Sequence, residues 1–380
     1  MQLSRRHLLA GAAGSLAACW TGAAAGSESV EKTKVPMIHV TDLFRPYADP
    51  DDHWDLACVY ALALRGDVEL LAVMIDSPPR PEYDPDVQAV AQMNYLAGVS
   101  APVIVGSPRR IEPQDVDRAE NRAVLGGMRA LLELLRKSPR PVVINILGSS
   151  RDVALAGKLE PKLFAEKCAA VYLNAGSGTP DKALAARLEY NVALDPASYA
   201  DIFNLPCPVY WMPCFEAVEP LVAGPHGTYY QFQQKDIVPH LSPRLQNYFA
   251  FLFKQGMPER ARQKPADALT PNWWHYLEGP NDAELLARVG ELPRNMWCTG
   301  GFLHAAGLSV DREGKLAPAA EIDSPMFGFD PVDVRCNAEG ITTWSADAQS
   351  QRRFLFTMRD EKRYGPTMTL AMRTLLGVFS

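Results

Sequence analysis

The feature that most constrains this chain is an alternation: short β-branched runs separated by longer amphipathic stretches through its first half. Val35 to Thr41 predicts a strand, and Asp51 to Arg65 a helix opened by acidic residues. Val68 to Ile75 reads as a strand, Asp84 to Leu96 as a helix, Pro102 to Val105 as a short strand and Asn121 to Lys137 as a long helix. Val142 to Leu147, Ala169 to Asn174 and Val209 to Met212 continue the strands. Helical segments from Arg151 to Lys167 and from Pro196 to Phe203 lie between them. Such a pattern predicts an α/β fold, with a mostly parallel central sheet and helices on both faces. Ligands in these sheets bind beyond the carboxyl ends of the strands. That rule selects Asp42, Gly148 and Asn174.

The second half reads differently. From Glu216 to about Glu291 the chain is rich in aromatic residues and Pro, with Tyr229-Tyr230 and Trp273-Trp274 and few strand signals. A helical, aromatic-rich excursion capping the sheet is expected there. Strand-like runs return at Val332 to Trp344 and Arg353 to Met358, read as an antiparallel pair, and a final amphipathic helix is expected from Tyr364 to Phe379. No internal repeat or long linker interrupts the pattern, so residues 30–380 are expected to form one domain.

The first residues read as a leader. Arg5-Arg6 precedes an apolar run from Leu8 to Ala18, too short to span a bilayer as a mature helix, and the arginine pair marks a twin-arginine export signal over residues 1–26. Leu16-Ala17-Ala18-Cys19 resembles a lipobox in which Cys19 would be lipidated, whereas Ala23-Ala24-Ala25 offers a rival cleavage site. The expected location is periplasmic or extracellular, with a lipid on Cys19 as the one membrane tether. A formal charge of −6 and the lack of a Lys/Arg cluster argue against nucleic acid as a partner. Cys58, Cys168, Cys207, Cys214, Cys298 and Cys336 show no CxxC or zinc-type spacing, and the first three sit in apolar surroundings expected to bury them.

The densest chemical signal is His39-Val40-Thr41-Asp42 followed by Asp49-Pro50-Asp51-Asp52-His53-Trp54-Asp55. One carboxylate ends a strand and others open a helix. Helix N-termini favour acidic side chains, which accounts for one or two of them. Carboxylates crowded at the mouth of a parallel sheet repel one another unless a hard cation or a polyol diol satisfies them.

A strand-ending Asp followed by Asp-Asp at a helix start resembles the N-terminal signature of the inosine-uridine nucleoside N-ribohydrolase family. Three further stretches are similar to that family in the right order. These are Val143 to Gly148 ahead of Arg151-Asp152-Val153-Ala154, then Asn174-Ala175-Gly176, then Leu188-Glu189-Tyr190-Asn191 running to Asp195-Pro196. The resemblance implies a nucleoside hydrolase-like α/β fold and hydrolysis of an N-glycosidic or related glycosidic bond with Ca²⁺. Asp42 would be a calcium ligand and activate the attacking water. Asp52 and the backbone carbonyl of Leu147 would be further ligands, and Asp51, Glu189, Asn191 and Asn174 would bind the sugar. The implied partner is a small nucleoside or sugar, and family members are often oligomeric. Asp195-Pro196 is itself an N-cap with Pro at N1 and is given no catalytic role.

The match departs from the family at the C-terminal part of the site. The family closes its metal site with an Asp, preceded in many members by a His, and here Trp297 and Cys298 stand at those positions. Residues from Leu43 to Pro50 form an insertion between Asp42 and the Asp pair. A thiol is a poor calcium ligand. Either Asp49 or Asp55 supplies the missing charge, or the protein binds a sugar without cleaving it. Asp55 lies four residues after Asp51 and three after Asp52, hence on their helix face; the competing reading pairs it with a surface Lys or Arg. His226 and His275 are the leaving-group candidates, and Glu216, just past a strand, is a candidate for the pocket wall.

Overall fold

The computed structural model describes residues 33–43, 51–76, 86–112, 115, 124–254 and 272–379. Its centre is a nine-stranded sheet. The strands in chain order are β1 (Val35–Thr41), β2 (Val68–Ile75), β3 (Val103–Val105), β4 (Val142–Ile146), β5 (Cys168–Asn174) and β6 (Val209–Met212). After them come β7 (Tyr230–Gln233), β8 (Pro293–Met296), β9 (Leu308–Val310), β10 (Leu316–Pro318), β11 (Phe327–Cys336), β12 (Thr342–Ala346) and β13 (Arg353–Met358). The sheet order is β12-β11-β13-β6-β5-β4-β1-β2-β3. From β13 to β3 neighbouring strands are parallel, and β11 and β12 extend the sheet as an antiparallel edge. The run 3-2-1-4-5-6 reverses between β1 and β4, so the crevice for a ligand opens where those two strands end.

Both faces of the sheet's centre are covered, which is why strands such as β1, β4 and β5 read as mainly apolar runs rather than alternating ones. In β1, Met37 packs into the core on one side, while Ile38 and Val40 pack on the other. The first side is covered by α1 (Asp51–Leu64), the C-terminal helix Glu361–Leu376 and the excursion helix Pro243–Lys254. Helices Gly126–Lys137, Arg151–Leu159 and Pro196–Ile202 cover the other. Every residue of α1 from Asp52 to Leu62 is buried. A helix enclosed on all sides holds its polar residues in fixed positions, and this one begins at the sheet mouth.

The expected elements of the first half are present, with small shifts. The Arg151 to Lys167 segment is two helices, Arg151–Leu159 and Pro161–Lys167, because Pro161 pushes Glu160 out of helical geometry (φ −126°, ψ 58°). The long helix starts at Gly126 rather than Asn121, which lies outside the described residues. Val332 to Trp344 divides into β11 and β12 around a turn at Asn337 to Gly340, and β13 pairs antiparallel with β11 but parallel with β6. The excursion is mainly helical, yet it contains β7, which pairs antiparallel with β8. No described helix is long and apolar enough to cross a membrane. The leader with Cys19, and Asp49, lie outside the described residues.

Candidate active site at the sheet mouth

Asp42 follows β1 directly, and Asp51 and Asp52 open α1. Asp52 ties these elements together: its Oδ2 accepts from the Thr41 hydroxyl at 2.7 Å and from the Asp42 amide at 3.1 Å. Gly148, just after β4, lets Asp42 lie against the backbone, since a methyl group there would sit 2.9 Å from Asp42 Cγ. The carboxylates of Asp51, Asp52 and Asp55 each offer an oxygen, all within 4.8 Å of one another. Asp55 is fully buried, and among the described residues it forms no ion pair with Lys or Arg. The competing reading of Asp55, a pairing with a surface Lys or Arg, therefore does not hold, because α1 is covered on the face that carries Asp55.

Neither carboxylate oxygen of Asp55 has a well-formed hydrogen bond, although the Cys298 thiol lies beside it. Burial, then the charge of Asp52, hold the Asp55 carboxyl well above the ordinary carboxylate range. Burial and the charges of Asp55, Asp52 and Asp51 likewise push the Cys298 thiol up, so it stays protonated. It donates to Asn174 Oδ1 at 3.2 Å, and Cys214 donates to the same oxygen at 3.5 Å. Asn174 Nδ2 in turn donates to the Met212 carbonyl (2.9 Å) and to Thr228 Oγ1 (3.0 Å). The Asn174 side chain therefore spends its hydrogen bonds on holding two thiols and two segments in place.

Glu189 caps the short helix Tyr190–Leu194, accepting from the Asn191 amide at 2.8 Å and from Gly176 N at 2.9 Å. Gly176 adopts φ +86° and its backbone lies against the Tyr199 hydroxyl, so only glycine suits the turn that presents this amide. Burial raises the Glu189 carboxyl, partly offset by these amides. Asn191 Nδ2 donates to the Leu147 carbonyl at 2.6 Å, which orients that oxygen at the end of β4. Phe215 and Trp297 form an aromatic wall of the cavity and cluster with Tyr229: ring centroids are 5.8 Å apart for Phe215 and Trp297, 5.4 Å for Phe215 and Tyr229, and 5.6 Å for Tyr229 and Trp297.

Beside this arrangement lies a cavity of about 250 Å³. Its lining brings together Asp42, Asp51, Asp52, Leu147, Asn174, Glu189, Asn191 and Trp297, all singled out from the sequence. Tyr190, Cys214, Phe215 and Val218 also line it and were missed as site residues. Cys214 and Phe215 follow the carboxyl end of β6, so the strand-end rule that pointed to Glu216 needed only to be read one or two residues earlier. Glu216 instead pairs with His226 Nδ1 at 3.1 Å, and His226 stacks edge-on against Trp344. Neither they nor His275, on the helix Trp273–Glu278, line the cavity.

This architecture is the nucleoside hydrolase-like fold. Among solved structures, the effector protein XOO4466 aligns at 15% identity over 92% of this chain and 96% of its own, with a TM-score of 0.54. An inosine-guanosine nucleoside hydrolase aligns at 14% identity over 91% and 99%, TM-score 0.52, and a plant nucleoside hydrolase at 12% over 91% and 99%, TM-score 0.51. No protein-family profile matches the sequence, and no curated protein matches it.

Proposed function

We propose that the chain is a nucleoside hydrolase-like glycosidase, exported by its leader to the periplasm or beyond, that hydrolyses an N-glycosidic or related bond of a small nucleoside. The observation that carries this reading is the convergence of Asp42, Asp51, Asp52, Glu189 and Asn191 on one cavity faced by an aromatic wall. The donor set suits a hard cation such as Ca²⁺: oxygens on one ion lie about 2.3–2.6 Å from it, so two of them are at most about 5 Å apart, and the α1 carboxylates meet that limit. Asp42, Asp52 and the Leu147 carbonyl would hold the ion, with Asp51 beside them at the sugar. When bound, it supplies Lewis acidity toward a water and the sugar diol.

The remaining chemistry falls to the chain. Asp42, almost wholly buried, is the base that takes a proton from the attacking water. Asp51, Glu189 and Asn191 border the sugar subsite; the carboxylates of Asp51 and Glu189 stabilise the oxocarbenium-like transition state, and the Asn191 amide positions the groups around it. Water bonds to the anomeric carbon as the C–N bond breaks, and the nitrogen leaves with the electron pair and picks up a proton. Phe215 and Trp297, braced by Tyr229, form the surface on which a planar leaving group stacks.

A second reading, a nucleoside or sugar binder without turnover, is favoured by one observation: a thiol and an indole occupy the positions where the family resemblance places Asp and His. Release of reducing sugar from purine and pyrimidine nucleosides, with Ca²⁺ present, separates the two. The hydrolase reading expects release that falls about 10²-fold or more in Asp42→Asn. Binding of a nucleoside with no release in the wild type would establish the binder instead.

A further inference from the structure

We infer that the charge missing at Cys298 has moved across the cation centre to Asp55, so that the site is closed by three carboxylates from the first turn and a half of α1. This rests on the cation-dependent reading above and names a residue outside the set implied by the family resemblance.

Two independent observations carry it. The first is geometric. Asp55 follows Asp51 by four residues and Asp52 by three, which puts the three side chains on one helix face. Their oxygens lie within 4.8 Å of one another, the span of a single oxygen-ligated ion. The second is that Asp55 is poorly satisfied, with only the Cys298 thiol beside it. It is fully buried, neither oxygen has a well-formed hydrogen bond, and among the described residues no Lys or Arg pairs with it. A carboxylate in that position is costly unless a cation or several donors satisfy it.

The Cys298 thiol faces this carboxylate. Cys298 precedes the helix Thr299–Ala305, and its thiol lies within hydrogen-bond reach of Asn174, which lines the cavity. A carboxylate at both positions would place a fourth negative charge within the cluster. A carboxylate at 55 facing a neutral thiol at 298 keeps the count of charges around the ion while changing the element that supplies one. The exchange also accounts for a third acidic residue at the buried start of α1, just before its apolar run from Leu56 to Leu64.

The test is calorimetric titration of the purified full chain with CaCl₂, with terbium luminescence as a second readout, on wild type, Asp52→Ala, Asp55→Asn, and the double variant Asp55→Ala with Cys298→Asp. Thermal unfolding verifies that each variant is folded. The expected result is Ca²⁺ binding in the wild type, loss in Asp52→Ala, affinity about tenfold weaker or worse in Asp55→Asn, and recovery in the double variant. Wild-type affinity in Asp55→Asn, with loss in Asp52→Ala, overturns the role of Asp55 but leaves the cation reading standing. Weakening in Asp55→Asn without recovery in the double variant overturns the exchange with position 298. No Ca²⁺ or Tb³⁺ binding in the wild type overturns both.

Discussion

The Thr41 hydroxyl donates to Asp52 Oδ2 across 2.7 Å, in a place where both residues are buried. This bond locks the last residue of β1 to the first turn of α1 and so fixes the distance between Asp42 and the Asp pair. Thr41→Val keeps the shape and removes the donor. A hydrogen bond to a charged group contributes about 1.5–3 kcal/mol, so denaturant unfolding of the metal-free protein is expected to show a loss of that order. An unchanged midpoint would mean that the Asp42 amide alone orients Asp52.

Gly148 sets the position of Asp42 from the other side. A methyl group there would meet Asp42 Cγ at 2.9 Å, and neither the strand end nor the buried carboxylate can yield freely. Overpacking of this kind costs about 1–3 kcal/mol. Gly148→Ala is therefore expected to lower the unfolding midpoint and to weaken Ca²⁺ binding together, both measurable on one preparation. A variant with wild-type stability and affinity would show that Asp42 has room to move.

The aromatic wall makes a separable prediction. Trp297→Ala removes the indole that stacks at 5.8 Å from Phe215 and 5.6 Å from Tyr229. Aromatic contacts of this type contribute about 0.5–1.5 kcal/mol beyond the area they bury, so nucleoside affinity is expected to fall about tenfold while affinity for free ribose stays within about twofold. Equal losses for both ligands would assign Trp297 to the sugar subsite or to folding.

Acid should destabilise the fold through two enclosed histidines. Burial lowers the pKa of His39 to about 3, and burial followed by the charge of Arg294 lowers that of His53 to about 3. An unfolded histidine titrates near 6.5. Between about 6.5 and about 3 the unfolded chain thus binds more protons, and stability falls as pH drops through that window. Asp152 works the other way: burial raises it to about 6, so the native state keeps its proton and loses stability as pH rises from about 4 to about 6. His39→Leu should lose less stability than the wild type between pH 7 and pH 5 by thermal unfolding. Parallel losses would show that His39 does not carry this sensitivity.

Much of the fold was legible because the strands β1, β2, β4, β5 and β6 are apolar runs buried on both faces, with helical lengths between them. The site was legible for a related reason: Asp42 and Gly148 follow β1 and β4, which meet at the reversal of strand order, and Asn174 ends the neighbouring β5. Short elements were harder. Strand β7, Tyr-Gln-Phe-Gln, is defined by pairing with β8 some 63 residues later, which no local pattern signals. The turn that splits Val332 to Trp344 depends on Gly340 at φ +82°. The role of Asp55 stayed open because its surroundings are set by the C-terminal helix and by Cys298, far away in sequence. The aromatic wall is likewise assembled from Phe215, Tyr229 and Trp297 on separate segments. His226, attractive as an isolated histidine in aromatic company, is satisfied by Glu216 away from the cavity.

The central claim is that the acidic mouth binds a cation and a sugar diol as one unit. Ca²⁺ titration of the full chain with and without a saturating nucleoside tests it most directly, since two ligands that share a site must change each other's affinity by the same factor. Ca²⁺ affinity raised about fivefold or more by the nucleoside, and lost in Asp52→Ala, is the predicted result. Nucleoside binding that leaves Ca²⁺ affinity unchanged, or a wild-type protein that binds no cation, would contradict it.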